Sequence, residues 1–291
     1  MATNQANNGF VTRFAPSPTG RLHKGHAYSA LLAFARSRQE GGRFILRIED
    51  IDTTRCRGDF VDGIYEDLAW LGLTWEQPVR RQSEHFVDYE AALERLKAMG
   101  VVYPCFCTRK DISREIAASE SAPHGPDGPI YPGICKGRTD SEALLAKGTP
   151  HAWRLDLEAA LKLIGGGPLV WQDEVKGKVI ATPEELGDIV LARKDTPTSY
   201  HLSVVVDDAL QGITHIIRGE DLFHATHIHV VLQKLLGYPT PLYHHHGLLL
   251  DEHGERFAKR NKSVTLESLR NDGTDPATLL SHPSDFGCPN A

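Results

Sequence analysis

Two histidines flank a glycine in the segment His23-Lys24-Gly25-His26, which lies between a predicted strand and a predicted helix. The first turn of a helix offers unpaired N–H groups and a positive dipole end, and Gly25 lets a ligand approach the backbone. Imidazole rings can donate hydrogen bonds to phosphate oxygens. The pattern therefore predicts a site for nucleotide phosphates. The alternative is a surface loop that holds two unrelated histidines.

A second candidate is the basic loop Arg256-Phe257-Ala258-Lys259-Arg260-Asn261-Lys262-Ser263, which follows an apolar run ending at Leu250. It holds four cations within seven residues. Such charges could stabilise a departing pyrophosphate, and removal of one contact of this kind typically raises a barrier by about 3–4 kcal/mol. A solvated loop is the alternative, because runs of charge are usually solvent-exposed.

The elements that would position these loops alternate between strand and helix. Strand-like segments at 9–15 and 43–48 are separated by helical spacing of apolar residues over 25–40, and two more helices are predicted at 60–71 and 86–96. This alternation predicts an α/β fold with a Rossmann-like parallel sheet that is covered on both faces.

The rest of the chain divides into segments of different character. Beyond residue 181 we predict strands at 189–192, 203–206, 215–217 and 243–250, with a helix over 225–236. The predicted organisation is a disordered lead-in over 1–9, the first half of a Rossmann-like domain over 10–102, an inserted subdomain over 103–181, the second half over 182–250, and the basic loop with a short helical segment over 251–291.

Composition narrows the functional classes. The 291 residues carry a net charge of −6, which argues against a general nucleic-acid coat, because non-specific affinity comes mainly from neutralised phosphates. The N-terminus is polar and unlike a signal peptide, and no run approaches the ~20 apolar residues of a membrane span. We expect a cytoplasmic monomer without a membrane partner.

Together the two candidate loops resemble the two signature sequences of class I aminoacyl-tRNA synthetases. Arg13-Phe14-Ala15-Pro16-Ser17-Pro18-Thr19-Gly20 is similar to the opening of bacterial glutamyl-tRNA synthetases, and Arg218-Gly219-Glu220-Asp221-Leu222 resembles their later glutamate-site motif. The resemblance implies the class I catalytic fold and a ligase that uses ATP to activate L-glutamate as its adenylate.

The length of the chain indicates which branch of this family it resembles. Only 31 residues follow Arg260, so we expect no helical anticodon-binding domain of the kind that glutamyl-tRNA synthetases carry. The chain therefore resembles the truncated glutamyl-queuosine tRNA(Asp) synthetases. That resemblance implies activation of glutamate without tRNA, and transfer of the glutamyl group to queuosine in the anticodon loop of tRNA(Asp).

Three alternatives stay open at this stage. One is charging of a tRNA 3′ end, as glutamyl-tRNA synthetases do, and another is a small nucleotidyltransferase with an H-x-G-H motif. The third is a catalytically silent RNA-binding paralogue. Its only hint is that Arg256 and Ala258 stand where the family's KMSKS-type loop usually has Lys and Ser, although Lys259 keeps the central lysine.

The resemblance also implies roles for individual residues. Arg13 or Arg218 suits the side-chain carboxylate of glutamate, and Glu49 suits its ammonium group. ATP and its Mg²⁺ would be held by His23, Gly25, His26 and Lys259, of which both histidines and the lysine are the candidate catalytic residues. The implied glutamate pocket consists of Arg13, Phe14, Ala15, Pro16, Ser17, Glu49, Tyr200 and Arg218.

The cysteines suggest a metal site in the inserted segment. The chain has five, an odd number that suits metal binding or free thiols better than a disulfide framework. Thiolates bind zinc, and a metal can close a loop that is too poor in apolar residues to pack alone. Buried free thiols are the alternative. The resemblance implies one structural Zn²⁺, with Cys105, Cys107, Tyr131 and Cys135 as ligands, and His124 is a nearby substitute for the tyrosine.

A run of three histidines, 244–246, is not predicted to bind a metal. Consecutive residues of a strand point to opposite faces of a sheet, so the three rings cannot converge on one ion. We expect a structural role or a position near ATP for them.

Overall fold

The computed structural model of the chain describes residues 9–118, 124–125, 128–248 and 264–279. The described strands are β1 (Val11–Phe14), β2 (Arg43–Ile48), β3 (Arg80–Arg81), β4 (Val102–Cys105), β5 (His124–Gly125), β6 (Gly128–Pro129), β7 (Ala152–Leu155), β8 (Val170–Asp173), β9 (Gly177–Ile180), β10 (Val190–Ala192), β11 (His215–Gly219) and β12 (Leu242–His246). The described helices are α1 (Lys24–Gln39), α2 (Gly58–Trp70), α3 (Phe86–Ala98), α4 (Arg109–Ala118), α5 (Ser141–Ala146), α6 (Leu157–Leu163), α7 (Tyr200–Leu210), α8 (Phe223–Leu236) and α9 (Leu266–Asn271).

A parallel sheet forms the centre of the fold. Strands β1, β2 and β3 pair in parallel, and so do β11 and β12. The two sets adjoin where the backbone N–H of Thr214 donates to the carbonyl oxygen of Val11 at 3.0 Å. The predicted α/β class with a parallel sheet is confirmed.

Helix α1 connects β1 to β2 and packs closely on the sheet. Its inward residues Ala27, Ala30 and Ala33 are fully buried, and their small side chains allow the close approach. At the return to β2 a side chain on Gly42 would collide with the carbonyl oxygen of Phe10, so the connection requires glycine there.

One predicted strand is wrong. Residues 203–206 lie in helix α7, where every residue from Leu202 to Asp208 is buried. The run Ser-Val-Val-Val favours a strand by local preference, because β-branched residues are enriched in sheets. A helix surrounded by other elements is apolar around much of its circumference, so its sequence loses the helical period that would reveal it.

Strand pairing crosses the predicted limit between residues 181 and 182 twice. Strands β4, β7 and β10 form an antiparallel sheet, although β10 belongs to the segment 182–250. The β8–β9 hairpin lies inside the segment 103–181, yet β8 pairs in parallel with β12. Pairing between strands far apart in sequence depends on tertiary packing, so composition does not reveal it.

Helix α9 follows the basic loop and returns to the start of α1. The backbone N–H of Leu266 donates to the carbonyl oxygen of Leu22 at 2.9 Å, and Thr265 forms an isolated antiparallel bridge with His23. This supplies part of the short helical segment that was predicted. Across the described ranges, no helix has the combined length and apolar character needed to cross a membrane.

Candidate active site

A cavity of about 510 Å³ opens at the carboxyl ends of β1, β2, β11 and β12. It lies at the junction of β1 and β11. From this junction the sheet continues through β2 and β3 on one side and through β12 on the other. Ligands usually bind at such a junction in folds of this type. Its lining includes Arg13, Phe14, Ala15, Pro16, Ser17, His23, Gly25, His26, Glu49, Tyr200 and Arg218. The structure thus brings together every predicted glutamate and ATP residue except Lys259, which lies outside the described residues.

The two histidines of the first motif have defined hydrogen-bonding roles. His23 is the N-cap of α1, and its Nδ1 accepts from the backbone N–H of Gly25 at 3.1 Å. The Nδ1 of His26 accepts from the backbone N–H of His23 at 3.2 Å. A neutral ring whose Nδ1 accepts carries its proton on Nε2. Both imidazoles are therefore Nε2–H donors at a helix N-terminus, where anions bind favourably.

Gly25 is required by the packing of this cap. A Cβ at this position would lie 3.1 Å from the His23 ring, closer than side chains normally approach. The glycine therefore permits the close, tilted arrangement in which the centroids of the His23 and His26 rings are 3.8 Å apart and the ring planes are inclined by 36°.

At the predicted glutamate side of the cavity, charged groups lie almost fully buried. Arg13 is 6% exposed, and its Nε donates to Asp208 Oδ1 at 3.1 Å. Glu49 accepts from Arg47 Nη2 at 3.0 Å. Burial raises the pKa of Glu49, and the attraction of Arg47 and Arg13 opposes that shift. Tyr200 and Arg218 line the same cavity.

Beneath this side lies a buried ionic network that sequence reasoning missed. Arg47 is completely buried, and its Nη1 donates to Asp208 at 2.8 Å. The neighbouring Asp207 accepts from Arg80 at 2.7 Å and from Tyr89 at 3.0 Å. A pair of aspartates at the end of an apolar run was the available signal, but the mistaken strand over 203–206 concealed it.

The three histidines 244–246 point alternately to opposite faces of β12, as predicted. His244 bonds Glu174 at 2.9 Å, and His246 lines the cavity, where its Nε2 lies 2.8 Å from Ser29 Oγ. His245 lies on the other face with Asp173 and Arg218. The roles of His245 and Asp173 were not anticipated, since 72 residues separate the two in sequence.

The cysteine cluster has a geometry that fits a metal ion. The Sγ atoms of Cys105, Cys107 and Cys135 all lie within 4.8 Å of one another, and Cys107 and Cys135 are 3.4 Å apart. The hydroxyl of Tyr131 lies 3.3 Å from Cys105 Sγ and 3.6 Å from Cys107 Sγ. Tetrahedral zinc with bonds of about 2.3 Å separates its sulfur ligands by about 3.8 Å. The three sulfurs are therefore close enough to share one such ion, with the Tyr131 hydroxyl beside two of them. The His124 side chain lies outside the described residues.

The described residues on either side of the basic loop approach the cavity. Leu248 lines it, and Thr265 pairs with His23 at the helix cap. Arg256, Ala258 and Lys259 themselves lie outside the described residues.

Comparison with known proteins defines the class. A family model described as tRNA synthetases class I (E and Q), catalytic domain, matches residues 10–290. The chain belongs to this family. The predicted enzyme class, a ligase of the aminoacyl-tRNA synthetase type, is thereby confirmed.

Among its relatives, the chain is similar to proteins named Glutamyl-Q tRNA(Asp) synthetase, so the predicted resemblance is also confirmed. The one from Rhodobacter capsulatus is 50% identical over 92% of this chain and 98% of its own length. The one from Symbiobacterium thermophilum is 42% identical over 93% and 84%. A glutamate–tRNA ligase from Aquifex aeolicus is 37% identical over 93% of this chain and 56% of its own length.

A solved structure supports the same fold. The crystal structure of a glutamate tRNA ligase from Elizabethkingia meningosepticum, in complex with its amino acid, matches with a TM-score of 0.73 and 29% identity. The match covers 87% of this chain and 52% of the ligase. The chain thus spans about half the length of that solved ligase.

Proposed function

We propose that this protein activates L-glutamate with ATP in the absence of tRNA and transfers the glutamyl group to queuosine of tRNA(Asp). The observation that carries the proposal is that one cavity combines two Nε2–H imidazole donors at a helix N-terminus with two buried arginines and a buried carboxylate. The first set suits a polyphosphate. The second suits an amino acid with two carboxylates and one ammonium group.

The proposed reaction has two steps. In the first, an oxygen of the glutamate α-carboxylate attacks the α-phosphorus of ATP, the bond to the bridging oxygen breaks, and pyrophosphate leaves. In the second, a hydroxyl of the acceptor attacks the carbonyl carbon of the adenylate, loses its proton, and AMP leaves. Such phosphoryl chemistry depends on positioning and charge stabilisation, so the protein needs no nucleophile of its own.

The roles follow from position. ATP would bind together with Mg²⁺. His23 and His26 would donate hydrogen bonds to its phosphate oxygens, and Gly25 would allow the nucleotide to approach. Lys259 would stabilise charge on the departing pyrophosphate, and this assignment is supported by the position of Leu248 and Thr265, which precede and follow its loop. All these roles are open to direct test.

On the amino-acid side, Arg13 and Arg218 would bind carboxylate groups and Glu49 the ammonium group, and Tyr200 would line the pocket beside Arg218. Residues 14–17 would form the adjoining wall. Burial strengthens each of these charge contacts, because the surroundings have a low dielectric constant.

For the cysteine cluster we propose one structural Zn²⁺, held by Cys105, Cys107, Cys135 and Tyr131. The metal would hold the segment that carries Tyr131 and Cys135 against the end of β4. Its contribution would be to stability, because ligand binding that requires the folded site adds to the free energy of folding.

The acceptor is the part of the proposal that depends most on relatives. The relatives similar over most of their length are named for glutamyl-Q tRNA(Asp), which favours queuosine. Glutamate–tRNA ligases are also similar, so charging of a tRNA 3′ end is the second candidate. A cytoplasmic location and a monomeric state stay predictions from the sequence.

The first test is ATP–pyrophosphate exchange without tRNA, with glutamate, glutamine or aspartate. We expect exchange with glutamate alone and its loss in Lys259→Ala. Lys234→Ala removes an exposed lysine of α8 and serves as the matched control, which should exchange like wild type. Absence of exchange with all three amino acids would contradict the activation step.

The second test separates the two acceptors. Radiolabelled glutamate should enter tRNA(Asp) that contains queuosine, and should still do so after the 3′-terminal adenosine has been removed. Transfer that survives the absence of queuosine but requires the terminal adenosine would instead establish 3′ charging.

A further inference from the structure

The guanidinium of Arg218 is held by protein groups on most of its sides. Its Nη2 donates to Thr226 Oγ1 at 2.7 Å and to the carbonyl oxygen of Leu222 at 3.1 Å, while Nε donates to His245 Nε2 at 3.1 Å. Its Nη1 has a longer contact, 3.4 Å, to the hydroxyl of Tyr200 in the cavity wall. Arginine has five N–H donors, so Nη1 is the nitrogen that these contacts leave to meet a ligand.

The contact with His245 determines where the imidazole carries its proton. A guanidinium cannot accept a hydrogen bond, so His245 Nε2 must be the acceptor. The proton of the neutral ring then lies on Nδ1, which donates to Asp173 Oδ2 at 2.7 Å. His245 is 1% exposed and Asp173 is fully buried, and burial lowers the pKa of His245 to about 3. The ring is therefore neutral at neutral pH.

Asp173 is itself held in place at the end of β8. Its Oδ1 accepts from the backbone N–H groups of Val175 and Lys176, both at 2.8 Å. Its Oδ2 also accepts from the backbone N–H of His245 at 3.2 Å. Every contact therefore holds the carboxylate as an acceptor that faces the imidazole.

We propose that Asp173 and His245 are positioning residues, which orient the Arg218 guanidinium so that Nη1 points to the bound amino acid. His245 and Arg218 are paired positions of β12 and β11, so their side chains lie on the same face of the sheet. The Asp173–His245–Arg218 relay joins the β8–β9 hairpin to the amino-acid site. This inference deepens the proposed function and rests on it for its kinetic consequence.

Asp173→Asn tests the relay with little change of shape. The asparagine oxygen can still accept from Val175 and Lys176, but its NH₂ group then faces the N–H of His245 Nδ1. The proton should move to Nε2, where it opposes the Nε–H of Arg218. We expect the KM for glutamate in pyrophosphate exchange to rise about 10–100-fold, as is typical when a binding group is misplaced by a fraction of an ångström to 1 Å. The KM for ATP should stay within about twofold of wild type.

Glu174→Gln is the matched control. Glu174 is the next residue in the chain, and it bonds Arg36 and His244 on the other face of the sheet. The KM of the Glu174→Gln variant for glutamate should match that of wild type. A second variant, His245→Gln, places an amide oxygen near the position of Nε2, so it should retain more glutamate affinity than His245→Ala. Equal losses in these two variants would overturn the relay.

The tautomer gives a readout that does not depend on activity. Nitrogen NMR of ¹⁵N-histidine-labelled protein, with His245→Gln to assign the signal, should show the proton of His245 on Nδ1 in wild type and on Nε2 in Asp173→Asn. If wild type catalyses no exchange, the proposed function fails while the tautomer still decides the relay. A proton on Nε2 in wild type would overturn it. So would an unchanged KM for glutamate in a variant whose tautomer has shifted, or equal rises in both KM values.

Discussion

Replacement of Arg47 by methionine should lower the free energy of unfolding by about 3–5 kcal/mol, because it leaves buried carboxylates without their cation. Arg47 is fully buried, and it lies 2.8 Å from Asp208 and 3.0 Å from Glu49. Methionine keeps an unbranched apolar stem that can fill the space of the arginine stem as far as Nε, so part of the packing is retained. The cost arises because, among the described residues, Asp208 keeps only Arg13 as a side-chain partner, and Glu49 loses the hydrogen bond that favours its charged form.

A matched control lies on the same strand. Arg43 forms an ion pair with Glu76, but their side chains are 55% and 43% exposed. Exposed pairs contribute about 0–1 kcal/mol, so Arg43→Met should cost no more than that. The comparison therefore distinguishes the loss of an exposed cation from the loss of a cation in a buried network.

Equilibrium unfolding in urea at neutral pH, followed by circular dichroism, measures both variants. The double variant Arg47→Met/Asp208→Asn should lose about 0.5–3 kcal/mol less free energy of unfolding than the sum of the two single-variant losses. The reason is that Asp208→Asn removes one of the carboxylates that Arg47→Met leaves unpaired. Similar losses of stability in Arg47→Met and Arg43→Met, or strict additivity in the double variant, would refute the account of the network.

Three further outcomes are expected. Elemental analysis should find zinc in wild type and in Cys56→Ser but not in Cys135→Ser; equal metal content in the two variants would rule out the proposed cluster. Burial raises the pKa of Asp67 from 3.8 to about 6, because the folded protein favours the neutral carboxyl. The stability that the neutral carboxyl contributes is therefore fully present below about pH 3.8 and is lost as the pH rises through about 6. Asp67→Asn should therefore be more stable than wild type by about 1–3 kcal/mol near pH 8 in urea unfolding, and the advantage should vanish near about pH 4; an advantage independent of pH would contradict the shift. Gly25→Ala should raise the KM for ATP about tenfold by displacing the His23 ring, a change of about 1.4 kcal/mol. Gly58→Ala, where a Cβ meets nothing within 4 Å, should leave it unchanged, and an unchanged KM in both would refute the packing argument.

Local sequence determined the features that depend on short-range chemistry. The strand, turn and helix around residues 10–40, and the H-x-G-H segment at a helix N-terminus, follow from spacing along a few turns of chain. The motif match was equally local, and it led to the family that the comparisons confirm. Alternation of strand and helix was sufficient for the parallel sheet, because βαβ units constrain which strands become neighbours.

Only the tertiary structure decided how the binding residues are held. Arg47 and Asp208 are 161 residues apart in sequence, and Asp173 and His245 are 72 apart, yet each pair forms a buried contact. No local preference encodes such partners, since a carboxylate at the end of a strand and a histidine in another strand look like surface residues when read singly. Burial makes an unpaired charge costly, and packing of distant elements determines which charges meet. The motifs therefore predicted residues that the fold gathers around one cavity, while the supporting network became visible only in the fold.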